Sequence, residues 1–137
     1  VLTAWCAQHD PLTLQAAPAR AFELASISGW ESADVTRFLM SLEPTPAIKT
    51  AVNSAVAWFE KSRITGFEIV SSLNAVGGRV FTLKANPDAK PIWARFYELG
   101  TNRPIFVTRE VKVFYNLSDL DQSGPGGGYH WYVTQPG

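Results

Sequence analysis

At 137 residues and 46% hydrophobic, the chain is long enough for one buried core and too short for two, so residues 1–137 read as a single domain. Twelve basic and twelve acidic side chains cancel. That balance argues against a nucleic-acid partner, because such binders draw much of their affinity from a large positive excess. The longest apolar runs fall far short of membrane-spanning length, so no transmembrane helix and no membrane partner is expected. The chain opens at Val1 with no initiator Met, positive n-region or cleavage signal, which points to a processed or excised chain.

Pro11 and Pro18 break the first twenty-five residues into short extended pieces, with Trp5 to His9 as a strand candidate. Cys6 is the single cysteine, so no internal disulfide can form. It reads as a small buried residue, with a thiol activated by the neighbouring His9 as the competing reading. His9 and Asp10 could form a hydrogen-bonded dyad or serve structure alone. Cys6, His9 and His130 give no ligand spacing, so no metal ligands are assigned.

Ser28-Gly29-Trp30-Glu31 fits a capping box, in which Ser and Glu satisfy each other's backbone donors. The helix it opens carries Val35, Phe38, Leu39 and Leu42 as one apolar stripe and stops by Pro44. Thr45 caps a second helix with Pro46 in its first turn. Ile48, Ala51, Val52, Ala55, Val56 and Phe59 line one face of it as far as about Arg63. The two should form an antiparallel pair.

Gly66 resets the pattern. Residues 67–70, 79–83, 95–98, 105–107 and 111–115 are rich in β-branched and aromatic side chains, with Gly77-Gly78, Asn86-Pro87-Asp88 and residues 102–104 as turns. Small strands or extended loops are expected, not a large sheet. The Gly-rich tract from Gln122 to Gly128 reads as a flexible loop, close in composition to an inserted linker. It lacks the Gly-Lys-Ser/Thr ending of a phosphate-binding loop.

The stretch with most chemistry is Trp93 to Phe106, with Arg109 just beyond. Arg95, Arg103 and Arg109 fall within fifteen residues, interleaved with aromatics, in a chain of zero net charge. Guanidinium forks suit carboxylates, so the pattern points to an anion site with stacking surfaces such as Tyr97. Ion pairs with Glu23, Glu98 or Glu110 are the competing account. Trp93, Tyr97, Tyr115 and Trp131 suit sugar rings or the core.

The run Ala94-Arg95-Phe96-Tyr97-Glu98-Leu99-Gly100-Thr101-Asn102-Arg103-Pro104-Ile105-Phe106 resembles the C-terminal signature of the family 10 polysaccharide lyases, which are pectate lyases. Residues 4–10, 18–23, 37–42, 56–59 and 128–132 continue the resemblance in order. It implies a mainly α fold with short strands and long loops, part of an (α/α)3 toroid of which this chain is roughly the C-terminal half. It implies a secreted enzyme that cleaves polygalacturonate (pectate) by calcium-assisted β-elimination. Arg20 would be the catalytic base, with Arg95, Arg103, Arg109 and Tyr97 binding substrate. A guanidinium is a poor base at neutral pH, so that role rests on the resemblance alone.

Neutralising the substrate carboxylate would ease removal of the neighbouring proton, as fixed charge does for any developing anion. Two features depart from the family pattern. Its acidic calcium motif has no counterpart here, Asp119 with Asp121 being a thin substitute for an ion that wants six to eight oxygens. The tract from Ser123 to Gly127 stands where basic residues are usual, so one substrate-binding arginine is missing. The alternative is a non-catalytic module for binding acidic polysaccharides or scaffolding. A half-toroid should expose apolar helix faces, favouring self-association or pairing with a separate N-terminal half.

Overall fold

Ser28 turns the chain from strand to helix. In the computed structural model, which describes residues 3–125 and 128–134, β3 (Ser26–Ser28) runs directly into α1 (Gly29–Met40). The Ser28 hydroxyl accepts the Glu31 backbone N–H at 3.3 Å and donates to the Glu31 carboxylate. The reciprocal half of the box differs from expectation, because the Ser28 backbone N–H donates instead to Trp5 O at 2.8 Å. The carboxylate is thereby left a second oxygen for another partner. α1 ends before Pro44, at Ser41, whose N–H bonds to Arg37 O.

α2 (Pro46–Ser62) begins as its sequence predicts, with the Thr45 hydroxyl accepting the Ile48 N–H at 3.2 Å and Pro in the first turn. The two helices pack on each other, and the apolar stripe of α1 is split, with Val35 and Leu39 half-buried and Phe38 and Leu42 exposed. The buried face of α1 is Gly29, Ser32, Ala33 and Thr36, small residues at helical spacing that let other segments approach closely. Phe38 of the expected stripe is 62% exposed, and Met40 and Leu42 are exposed beside it.

Beyond α2 every sheet has two strands. β4 (Phe67–Leu73) and β5 (Arg79–Ala85) form a hairpin closed at Asn74–Gly78, where Gly77 takes φ +81° and Asn74 Oδ1 accepts the Val76 and Gly78 N–H groups. β6 (Trp93–Ala94) pairs with β10 (Tyr132–Val133), and β7 (Phe96–Glu98) with β3. β8 (Phe106–Val107) pairs with β9 (Val113–Phe114), and β1 (Gln8–His9) with β2 (Ala16–Ala17). One apolar cluster joins Phe81, Phe96, Ile105, Phe106, Leu117 and Trp131; a second joins Ala4, Ile27, Trp58, Ala94 and Tyr97.

The expectation of a mainly α fold forming part of an (α/α)3 toroid is therefore wrong for this chain. Two helices stand beside ten short strands in five separate antiparallel pairs among the described residues. The physical reason lies in the pattern after Ser62. The helical period stops there, and short runs rich in β-branched and aromatic residues between glycine and proline turns form strands that pair two by two.

The Gly-rich tract is also more anchored than composition implied. Gln122 bonds Phe81 as a strand would, accepting its N–H at 3.0 Å and donating to its carbonyl at 2.9 Å. Asn74 Nδ2 donates to Gln122 O and Gly124 O at 2.7 and 2.8 Å. A Cβ on Gly78 would stand 2.0 Å from Gly124 O, so this contact depends on glycine. Gly126 and Gly127 lie outside the described residues.

Candidate functional site: an arginine and aromatic cluster

Arg95 occupies the single residue between β6 and β7, where its backbone is held from both sides. Its N–H donates to Trp131 O at 2.7 Å and its carbonyl accepts the Gly29 N–H at 2.9 Å. The approach of α1 needs Gly29, since a Cβ there would stand 2.5 Å from Ala94 O. The guanidinium lands over the helix start. Nη2 donates to Glu31 Oε1 at 3.0 Å, and Cζ lies 4.7 Å from the Trp30 ring centre. Glu31 thus serves the helix cap and the arginine at once. The Arg95 side chain is only 14% exposed, and its Nε is buried with no acceptor among the described residues.

Arg20 reaches the same cluster from a different part of the chain. Its Nη2 and Nε bond the two oxygens of Glu23 at 2.6 and 3.1 Å, a two-pronged pair. Glu23 is buried and also accepts the Tyr129 hydroxyl at 2.7 Å. The Arg20 bond, with the Tyr129 bond assisting, holds the Glu23 carboxyl down at about 2 against the opposing effect of burial. The same bond raises the Arg20 pKa above its ordinary value. The Arg20 guanidinium therefore gives up its proton even less readily than a free one. Tyr129 lies between the two arginines, its ring centre 6.0 Å from Arg20 Cζ and 5.5 Å from Arg95 Cζ.

Arg103 stands in a separate group. Its Cζ lies 3.6 Å from the Tyr115 ring centre, while the Tyr115 hydroxyl donates to Glu98 Oε2 at 2.5 Å. Thr101 Oγ1 donates to the other oxygen of Glu98 at 2.6 Å. The Thr101 and Tyr115 bonds, and then the Arg103 charge, pull the Glu98 pKa down. Arg109 sits exposed at the tip of the β8–β9 hairpin, in the turn closed by Val111 N–H to Thr108 O, with no ion pair among the described residues. Tyr97 is 1% exposed; its hydroxyl donates to Ser62 O at 2.8 Å and accepts the Ala94 N–H at 2.9 Å. Burial pushes its pKa up.

The structure thus brings Arg20 and Arg95 together, sets Arg103 and Arg109 apart from them, and places Tyr97 in the core. Reading the sequence missed Glu31, Trp30 and Tyr129. The capping box contained the signal for Glu31, whose second oxygen was unassigned. Nothing in the sequence tied Tyr129 to Glu23, 106 residues away.

The other candidates serve local structure. His9 Nε2 accepts the Cys6 backbone N–H at 3.1 Å and Nδ1 faces Leu14 O at 3.1 Å, so the proton belongs on Nδ1. Asp10 instead caps the turn at Leu12 and Thr13. The Cys6 thiol is buried and its pKa is raised by burial. Asp121 accepts the Ser123 N–H at 2.9 Å. No three His, Cys, Asp or Glu side chains gather into a metal-holding group among the described residues. The carboxylates of the described residues are too scattered to supply the six to eight oxygens that calcium takes.

Two helices and five two-stranded sheets among the described residues thus carry guanidinium groups set against aromatic rings. The model of the pectic acid lyase family matches residues 1–137, and this chain belongs to that family, the family 10 polysaccharide lyases. It is similar to the solved family 10 polysaccharide lyase from Cellvibrio cellulosa, with 34% identity and a TM-score of 0.80 over 99% of this chain. A point mutant of the Cellvibrio cellulosa family 10 lyase, solved in complex with trigalacturonic acid, shows 36% identity and a TM-score of 0.78 over 98% of this chain. In both cases the chain spans 41% of the solved relative. No curated protein matches it.

Proposed function

We propose that this module binds acidic polysaccharide of the polygalacturonate type, outside the cell, without cleaving it on its own. The observation that carries this reading is the pair of guanidinium groups around the Tyr129 ring, each committed to one internal carboxylate yet each keeping donors over. Arg20 Nη1 is without a partner among the described residues, and its side chain is 66% exposed. Arg95 Nη1 is likewise without a partner among the described residues, while its Nε is a buried donor with no acceptor there, a state that costs about 1–3 kcal/mol. Arg103 and Arg109 extend the positive surface. Tyr97 acts beneath it, fixing the strand that carries Arg95.

The complex of the relative with trigalacturonic acid supports the choice of substrate class. Non-catalysis is supported by the two groups a β-elimination would need. Glu23 holds the Arg20 proton in place, and the described residues offer no calcium ligand set.

A second reading, pectate lyase activity with Arg20 as base, is favoured by family membership over the whole chain. Purified chain should be incubated with polygalacturonate, with added calcium or with chelator. Retention on the polymer with flat ultraviolet absorbance supports the binding reading. A calcium-dependent rise from unsaturated product, abolished by Arg20→Ala, would replace it with the lyase reading. Failure to bind would remove both.

A further inference from the structure

Trp30 is the one residue that belongs both to the arginine cluster and to the groove beside it. Its ring supports the Arg95 guanidinium at 4.7 Å, yet 45% of the residue remains exposed. It also lines a groove of about 500 Å³ together with Ala33, Ile69, His130 and Tyr132. That volume lies in the ~300–1,000 Å³ range of small-molecule sites. β10, which supplies Tyr132, pairs with β6 in the register Tyr132↔Ala94, so this wall is bonded to the strand next to Arg95. The groove therefore starts where the arginine cluster ends.

The indole in the first turn of α1 stands off the buried face there, which is made of Gly29, Ser32, Ala33 and Thr36, and nearly half of the residue is left open beside Arg95. We propose that Trp30 is a sugar-stacking platform, forming a further subsite that receives the third ring of an acidic oligosaccharide whose first two carboxylates are held at Arg20 and Arg95. The proposal rests on the carboxylate-binding reading of the cluster. Charge complementarity selects the occupant. A uronate chain offers one carboxylate per ring for the guanidinium, and an apolar ring face for the indole. Asp34 and Arg37 also line the groove and pair with each other at 3.1 Å, so they add little net charge.

The competing role of Trp30 is to shield the Arg95–Glu31 ion pair from water, and chain length separates the two. Digalacturonate and tetragalacturonate should be titrated calorimetrically into wild type, Trp30→Ala, Trp30→Phe and Arg95→Ala, with thermal melts as folding controls. A platform predicts that Trp30→Ala leaves digalacturonate affinity within about twofold and weakens tetragalacturonate about threefold to tenfold. Trp30→Phe should recover most of that loss.

Equal loss for both oligomers in Trp30→Ala would make the residue a prop for Arg95 and overturn the platform. So would no loss for either, while Arg95→Ala still abolishes binding. Wild type that binds neither oligomer, or Arg95→Ala that binds as well as wild type, would instead remove the carboxylate-binding reading itself. A Trp30→Ala protein without a cooperative melt leaves Trp30→Phe to decide. A fall in tetragalacturonate affinity there that digalacturonate does not share supports the platform, and an equal fall for both, or none for either, overturns it.

Discussion

The Tyr129 hydroxyl donates to Glu23 Oε1 at 2.7 Å, bridging 106 residues of chain onto a carboxylate that Arg20 already grips with two nitrogens. Glu23 is thereby the keystone of the arginine cluster. It is buried and charged, and it is held by Arg20, three residues away, and by Tyr129 from the far end of the chain.

Acid should release that keystone. The folded-state value of about 2 lies below the ordinary 4.5, so the stabilisation is whole above about pH 4.5 and fades as pH falls toward 2. Its size is on the order of 2–3 kcal/mol. Glu23→Gln should lower the melting temperature near neutral pH, with the gap to wild type closing as the buffer becomes more acid than pH 4.5. A gap that stays constant from neutrality to about pH 3 would contradict the assignment.

Gly29→Ala tests how tightly α1 must approach β6. The new Cβ would stand 2.5 Å from Ala94 O, a backbone atom that cannot swing aside. A loss of about 1–3 kcal/mol is expected in denaturant melts, together with weaker polygalacturonate binding, since the Arg95 carbonyl is bonded to the Gly29 N–H. By contrast, a Cβ on Gly66 would meet nothing within 4 Å, and only its φ of +82° should resist substitution.

Tyr97→Phe should cost stability and leave binding alone. It strands the Ala94 N–H and Ser62 O in the core, a loss of about 1–3 kcal/mol. At a temperature where the variant is fully folded, its affinity for polygalacturonate should match wild type. An affinity loss there would assign Tyr97 to the binding surface instead.

Arg109→Ala should do the reverse. The side chain is exposed at a hairpin tip, so the melting curve should shift by no more than about 0.5 kcal/mol. Polygalacturonate binding should weaken and become less sensitive to salt, because an exposed charge acts through screened attraction. Retention of the variant on the polymer across a salt series measures both effects.

Much of the local structure was legible. Thr45-Pro46 fixed the start of α2, Gly77-Gly78 the turn of the β4–β5 hairpin, and Ser28 the start of α1, because caps and turns depend on neighbours in sequence. The buried face of α1 was not legible. Its apolar stripe is more conspicuous than the small residues beside it, and only the packing partners decide which face is covered. The toroid expectation failed because no α-helix forms among the described residues after Ser62, where short β-branched and aromatic runs between turns form strands instead.

The candidate site divides the same way. The sequence determined that Arg95, Arg103 and Arg109 would come from one short stretch, since spacing along the chain is a covalent fact. Tertiary structure decided that Arg95 joins Arg20 across Tyr129, while Arg103 turns to Tyr115 and Arg109 stays at a hairpin tip. Guanidinium partners are chosen by distances of a few ångströms in space. Those distances are set by β3 pairing with β7 and β6 with β10, and local propensity does not encode these long-range pairings.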